Sequence, residues 1–286
     1  KLPRLSRLLQ EATGTYFHAI VVAKMAEAAA EKIGANPLLA RTGAYFHDIG
    51  KLKRPLYFKE NQMGDNTHDR TDPSVSAAIV KAHTREGLAL AQKYHLPPEI
   101  QTIIMEHHGD TPVMYFYHKA LQMADGKPVD IADFRYDGQR PTTKESAIVM
   151  LADTIEAAVR SIPDPTPKAI EQFIERLVRG KLEDGQLSNS PLTLRDIDAI
   201  CEAFCKVLNG VFHERIEYPT VNVPARPLVK AEKEAEKETK QMQAEIKAEK
   251  QAEAEKTPEV KAEAKAEKPD VPEKPAAPVE ESEENT

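Results

Sequence analysis

The sequence predicts an all-α domain over residues 1–220 and a charged tail over residues 221–286. Three observations predict this. Apolar residues recur at helical spacing through the first part of the chain. No alternating run of β-branched residues is long enough to read as a strand. Composition also changes abruptly near Pro219, and after Leu228 there is no aromatic residue.

The elements follow in order. Leu5–Ile33 is apolar and Ala-rich, with Ile20, Val21, Ala28 and Ile33 at helical spacing and an interruption near Thr13-Gly14. Asn36-Pro37 reads as an N-cap with proline at the first helical position, opening a helix over Leu38–His47. A polar stretch from Lys53 to Pro73 reads as irregular. Helices are expected over Ser74–Tyr94 and Pro97–His108, punctuated by Pro97-Pro98, and a shorter one over Tyr115–Met123. Ala124–Pro141, rich in Gly, Asp and Pro, reads as a loop. Thr142–Arg160, Pro167–Lys181 and Thr193–Arg215 complete the helical domain.

Lys230–Glu284 is built of Ala, Glu and Lys, with proline through its last third. Its first part, to about Glu255, fits a solvated helix laced with i,i+4 ion pairs. It lacks the apolar seam of a coiled coil, and the remainder has too little apolar surface to fold alone.

Charge narrows the partners. Of the chain's 39 basic and 46 acidic residues, 12 and 17 lie after residue 220, leaving 27 and 29 in the domain. A nearly neutral domain argues against a nucleic-acid polymer as partner. A small anionic ligand needs only a locally positive pocket, which metal ions supply. Cys201 and Cys205 share one face of a helix and fit buried, reduced thiols, since a structural zinc site needs a second pair. No apolar run is long enough to span a membrane, and no signal peptide is visible. The chain starts at Lys1 with a helical pattern already under way, so it is read as part of a longer protein.

The chemistry is carried by His and Asp residues set in apolar helices. His47 and Asp48 are adjacent at the end of a helix and give one nitrogen and one oxygen donor from nearly one backbone point. The two oxygens of an aspartate can bridge two cations, whereas an imidazole holds one. Gly50 is expected to let the chain turn sharply after the pair. His-Asp is a common dipeptide, and His68-Asp69 is a second case here. The other helices strengthen the signal: His18 sits among Phe17, Ile20 and Val21, His83 lies inside Ser74–Tyr94, and His107-His108 closes a helix before Gly109. Asp153 is embedded in Ala147–Asp153, where a buried carboxylate needs a cation or donors. Each residue alone has an ordinary structural explanation; five separate segments together do not.

The order His, His-Asp, His, His-His, Asp resembles the HD phosphohydrolase superfamily. More closely, the chain resembles the catalytic domain of seven-transmembrane HD proteins, the PgpH type of cyclic di-AMP phosphodiesterase. The stretches that carry this are Tyr16-Phe17-His18, Tyr45–Pro55, Asn66–Arg70, Ala82-His83, Glu106–Gly109, Tyr115–Ala120 and Lys144–Arg160, and the likeness covers about residues 14–220. The resemblance implies one metal ion on His18, His47, Asp48 and Asp153, and a second on Asp48, His83, His107 and His108, with Asp48 bridging. Imidazole and carboxylate without thiolate suit iron or manganese and do not exclude zinc.

The implied activity is hydrolysis of cyclic di-AMP to linear pApA by a hydroxide activated between two divalent ions. Lys51 is expected to act at the reacting phosphate, and Lys51, Arg54, His68 and His118 are the expected substrate contacts. His95 and His213 are expected to be ordinary surface or packing residues. Cyclic di-GMP phosphodiesterases share this scaffold but carry a Gly-Tyr-Pro signature after the His-His pair; here Asp110–Tyr115 follows instead. The same scaffold also serves nucleotide phosphohydrolases, and a catalytically silent module that senses nucleotide would share it too. The resemblance further implies a cytoplasmic domain joined to the bacterial cell membrane through a missing N-terminal portion, and leaves room for a homodimer.

Overall fold

The structure is a computed structural model that describes residues 3–162, 166–211, 237–245 and 247. The chain divides into two units, Lys1–Ile216 and Glu217–Thr286. The first is all-α. Its helices are α1 (Pro3–Glu11), α2 (Thr13–Lys32), α3 (Pro37–Phe46), α4 (Pro73–Lys93), α5 (Pro98–Glu106), α6 (Met114–Met123), α7 (Lys144–Arg160), α8 (Pro167–Glu183) and α9 (Leu194–Val211). Among the described residues there is no strand, only an isolated antiparallel bridge between Pro112 and Arg135. No helix of the described residues is long and apolar enough to cross a membrane. In the second unit, residues 237–245 are helical and exposed. His213, the boundary at residue 220 and the rest of the tail lie outside the described residues.

Helix starts are set by short polar side chains that satisfy otherwise unpaired N–H groups. Asn36 accepts from Leu39 N ahead of α3, Asp72 from Ser74 N ahead of α4, Thr143 from Ser146 N ahead of α7, and Thr166 from Ala169 N ahead of α8. Proline follows the cap in α3, α4 and α8, where its missing N–H costs nothing. The expected ends of α3, α4, α5 and α7 therefore move by a residue or two. The expected break at Thr13-Gly14 falls instead at Ala12, whose φ of −145° and ψ of 63° leave the helical region. The polar stretch after His47 is also more ordered than expected, containing 3-10 turns at Ile49–Lys53, Pro55–Tyr57, Lys59–Asn61 and Thr67–Arg70. Within the expected loop 124–141, Ile131–Phe134 forms another.

The main core joins α2, α3, α7, α8 and α9. The central element is α7, in which every residue from Ser146 to Asp153 is buried. That explains its nearly continuous apolar sequence: a helix covered on all sides shows no polar face. A second cluster packs Leu8, Phe46, Ile49, Leu90 and Ile104 where α1, α3, α4 and α5 meet. Cys201 and Cys205 on α9 are half-buried free thiols packed against the main core, and burial pushes the Cys201 thiol up to about 11.

Gly50 has a different role from the one expected. Its φ is not positive; it lets the Ile49–Lys53 turn lie directly on α4. A Cβ there would sit 1.9 Å from His83 O and 2.6 Å from Gly87 N. Both obstacles are backbone, so no rotamer change relieves them. Gly50→Ala is expected to cost about 3 kcal/mol by overpacking. The effect should appear as a lower urea midpoint at unchanged m-value.

Candidate metal centre

Five elements converge on one buried cluster. His18 stands in the second turn of α2; His47 and Asp48 leave the end of α3; His83 lies on α4; His107 and His108 end α5; Asp153 lies on α7. All are buried except His108, whose side chain is 20% exposed and opens the cluster toward solvent. Two sets of donor atoms form, each within 4.8 Å of one another: His18, His47, Asp48 and Asp153, and Asp48, His83, His107 and His108.

The two oxygens of Asp48 divide between the sets. Oδ2 lies 3.2 Å from His47 Nε2 and 3.7 Å from His18 Nε2. Oδ1 lies 3.3 Å from His83 Nε2 and 3.8 Å from His107 Nε2. Asp153 also reaches both sides, with Oδ1 3.0 Å from His18 Nε2 and Oδ2 3.6 Å from His108 Nδ1.

Local helix geometry aims the rings. His47 donates Nδ1–H to Ala44 O (2.6 Å), His83 to Val80 O (2.6 Å) and His107 to Ile104 O (2.8 Å). Each partner is the carbonyl three residues earlier, so the chain's own backbone fixes the tautomer and turns Nε2 inward. For His18 the partner is the buried carboxylate of Glu156, one turn after Asp153 on α7. The guanidinium of Arg160 holds Glu156 from the other side. His108 stacks on Tyr136, with centroids 4.3 Å apart.

The turn after His107-His108 is clamped. Gly109 adopts a φ of +56°, and a Cβ there would meet Gln186 Oε1 at 2.3 Å. Arg140 donates two hydrogen bonds of 3.1 Å to the Asp110 carboxylate, and Gln186 Nε2 donates a third of 2.6 Å. Ahead of the pair, buried Glu106 accepts from Thr142 N at 3.0 Å and Thr142 Oγ1 at 2.7 Å.

The residues fit divalent cations. His47 Nε2 and both oxygens of Asp48 are buried with no hydrogen-bond partner. Lys51 Nζ lies 2.7 Å from Asp48 Oδ2 as an ion pair, without hydrogen-bond alignment. Buried polar atoms left this way are costly unless something else satisfies them. Burial works against charge on Asp48, but His47, Lys51 and His83 hold its carboxyl well below the usual range. Burial likewise opposes charge on Asp153, yet the hydrogen bond from His18 and the nearby rings of His47 and His108 hold it low. The cluster can hold metal ions.

The expected substrate contacts separate. Lys51 stands beside Asp48 and pairs with Glu60 Oε1 at 2.8 Å, while Glu60 accepts from Thr15 Oγ1 at 3.1 Å. Arg54 is half-exposed and bound to Glu86 Oε1 at 2.6 Å. His68 is buried between Tyr57 and Phe116 and bonds Tyr57 O through Nε2 at 2.7 Å. On α6, His118 is exposed with its ring beside Tyr117, and His95 is exposed at a φ of 54° after α4. Sequence reading missed Glu156, Glu60, Tyr136 and the Asp110–Arg140–Gln186 clamp. Only Glu156 carried a signal, three residues after Asp153 in an apolar helix.

This is a helical domain built around a His/Asp cluster, and the chain belongs to the HD domain family, whose profile matches residues 15–158. It is 46% identical over 218 residues to the cyclic-di-AMP phosphodiesterase PgpH of Bacillus subtilis (strain 168), covering 76% of this chain and 30% of that protein. The fold is similar to the crystal structure of the L. monocytogenes phosphodiesterase PgpH HD domain, with TM-score 0.71 and 43% identity over 74% of this chain and 100% of that one. The same domain in complex with cyclic-di-AMP matches with TM-score 0.71 and 44% identity over 76% of this chain and 100% of that one. The chain thus spans about 30% of the length of its curated relative.

Proposed function

We propose that residues 1–220 form a metal-dependent phosphodiesterase domain that hydrolyses cyclic di-AMP to linear pApA, and that residues 221–286 are an appended tail. The division of the two Asp48 oxygens between two histidine sets carries this reading. His18, His47, Asp48 and Asp153 hold one cation, and Asp48, His83, His107 and His108 hold the other. Nitrogen and oxygen donors without thiolate favour iron or manganese. When bound, such a pair of cations lowers the pKa of water and neutralises phosphate oxygens.

The protein's own contribution is positioning. Carbonyl-locked rings keep their Nε2 atoms aimed inward, which avoids reorganisation during reaction. Lys51 is held over the Phe58 ring, 4.9 Å from its centroid, and brings fixed positive charge to the edge of the cluster. There it can offset charge developing on a phosphate oxygen. The opening at His108 is the approach for a substrate phosphate. Addition of one water breaks one P–O3′ bond: the hydroxyl joins phosphorus and the proton goes to the departing 3′ oxygen.

Support for adenine comes from the PgpH relatives and the complex with cyclic-di-AMP. The resemblance to seven-transmembrane proteins supports a cytoplasmic domain within a membrane-anchored whole. The test is incubation with cyclic di-AMP and cyclic di-GMP in parallel, with manganese and then iron, separating products by chromatography. Linear pApA is the expected product. Binding of cyclic di-AMP with no linear product under either metal would leave a sensing module instead, and turnover of cyclic di-GMP alone would reverse the base assignment.

A further inference from the structure

We infer that Glu156 is a positioning residue that strengthens His18 as a metal donor and makes the two halves of the cluster chemically unequal. The inference rests on the two ligand sets proposed above. Four histidines have their Nδ1 atoms accounted for, and one differs. His47, His83 and His107 donate Nδ1–H to neutral carbonyls of their own helices. His18 instead meets a carboxylate brought in by another helix. An imidazole that donates to a carboxylate is a more basic donor at its other nitrogen than one bonded to an amide carbonyl.

The geometry leaves Glu156 little freedom. Its side chain is 5% exposed and held between His18 and Arg160. Because it follows Asp153 by three residues on α7, the same helix face presents a ligand and the brace for a second ligand. A shift of α7 would move both together. Arg160 lies at the protein surface with a side chain 41% exposed, where solvent screens it, so it anchors Glu156 without cancelling its charge at His18. The set containing His18 therefore carries Asp48, Asp153 and a third carboxylate behind the ring. The set containing His83 has Asp48 as its own carboxylate, Asp153 Oδ2 3.6 Å from His108 Nδ1, and backbone-bonded imidazoles at His83 and His107 with no carboxylate behind either ring.

The test is manganese(II) titration of the 286-residue chain by calorimetry, with bound metal counted by elemental analysis. Wild type, Glu156→Gln, Glu156→Ala, His18→Ala and the His18→Ala/Glu156→Ala double variant are compared, with helical content checked by circular dichroism. Glu156→Gln keeps the volume and an oxygen able to accept from Nδ1–H, and should weaken one of the two ions by about tenfold. Glu156→Ala should weaken the same ion by up to about a hundredfold. Added to His18→Ala, it should bring no further loss, because the two residues act as one unit. Two ions bound to both Glu156 variants as tightly as to wild type would overturn the role of Glu156. An equal further loss in the His18→Ala background would do the same, showing an effect that does not pass through His18. A wild-type chain that takes up a single ion would instead overturn the ligand sets themselves.

Discussion

Asp48→Ala is expected to lower phosphodiester hydrolysis by at least about a thousandfold, equivalent to about 4 kcal/mol of barrier, and to leave the chain with fewer than two bound metal ions. Every other proposed ligand belongs to one set, whereas Asp48 supplies Oδ2 to His18 and His47 and Oδ1 to His83 and His107. In the proposed ligand sets, its loss removes the one group that both ions would share. The substitution also strips Lys51 of one of its two carboxylates and leaves His47 facing Asp153 alone, at 3.7 Å. Breaking a buried charge pair from one side costs about 3–5 kcal/mol, so folding must be measured beside activity. Asp48→Asn separates the effects, because it keeps the volume while removing the charge that binds cations. Metal content by elemental analysis and turnover by chromatography should fall together in both variants. Near-normal turnover in either would sink the two-ion reading.

How much of this was legible in the sequence depended on what each residue needed from its neighbours. Polar groups placed where a helix should be apolar stand out, and His18, His83 and Asp153 are such positions. His47-Asp48 and His107-His108 were legible as pairs at helix ends, where the backbone stops being regular. Asn36-Pro37 marked the start of α3, and the expected starts of α4 and α8 fall within a residue of the observed ones. Burial of α7 on all sides followed from its unbroken apolar run.

Partners that meet only in three dimensions were not legible. Glu60 sits in a polar stretch that reads as loop, and its link to Lys51 and Thr15 depends on the Lys59–Asn61 turn docking beside α2. Tyr136 and Arg140 lie in a segment with no periodicity at all. Glu156 had a visible spacing from Asp153, but Arg160 four residues later offered an ordinary i,i+4 ion pair as sufficient explanation. Gly50 was read correctly as important and for the wrong reason, because close approach to another backbone leaves no trace in local sequence.

Metal loading of the His18 set should depend on pH far more steeply than loading of the His83 set. Without metal, the buried carboxylates still need cations, and the protein finds them in its own histidines. Burial alone would favour neutral His47, but the nearby carboxylates of Asp48 and Asp153 outweigh it and push His47 up to about 10. For His18, burial is likewise outweighed by Asp153 and Glu156, and its pKa is raised. The other three rings go the opposite way. Burial, reinforced by neighbouring imidazoles, lowers His107 to about 3 and holds His83 and His108 below their ordinary value. At neutral pH, His47 is thus protonated and His18 is shifted toward protonation, while His83, His107 and His108 are shifted toward presenting free lone pairs. A ligand nitrogen must be unprotonated, so an ion entering the His18 set expels the proton of His47 and is opposed by the raised pKa of His18, whereas the lowered pKa values of the His83 set offer no such opposition. The sign follows: lowering pH favours the protonated rings and opposes the metal. Affinity at the His18 set should therefore fall at least about tenfold per pH unit while His47 is protonated. The His83 set should hold its ion until pH drops well below 6.5, the usual value for histidine. Calorimetry of manganese(II) binding in buffers of different ionisation enthalpy counts the protons directly. Release of at least one proton per chain is the expected result; none released at neutral pH would show that His47 is already neutral and that the carboxylates are balanced some other way.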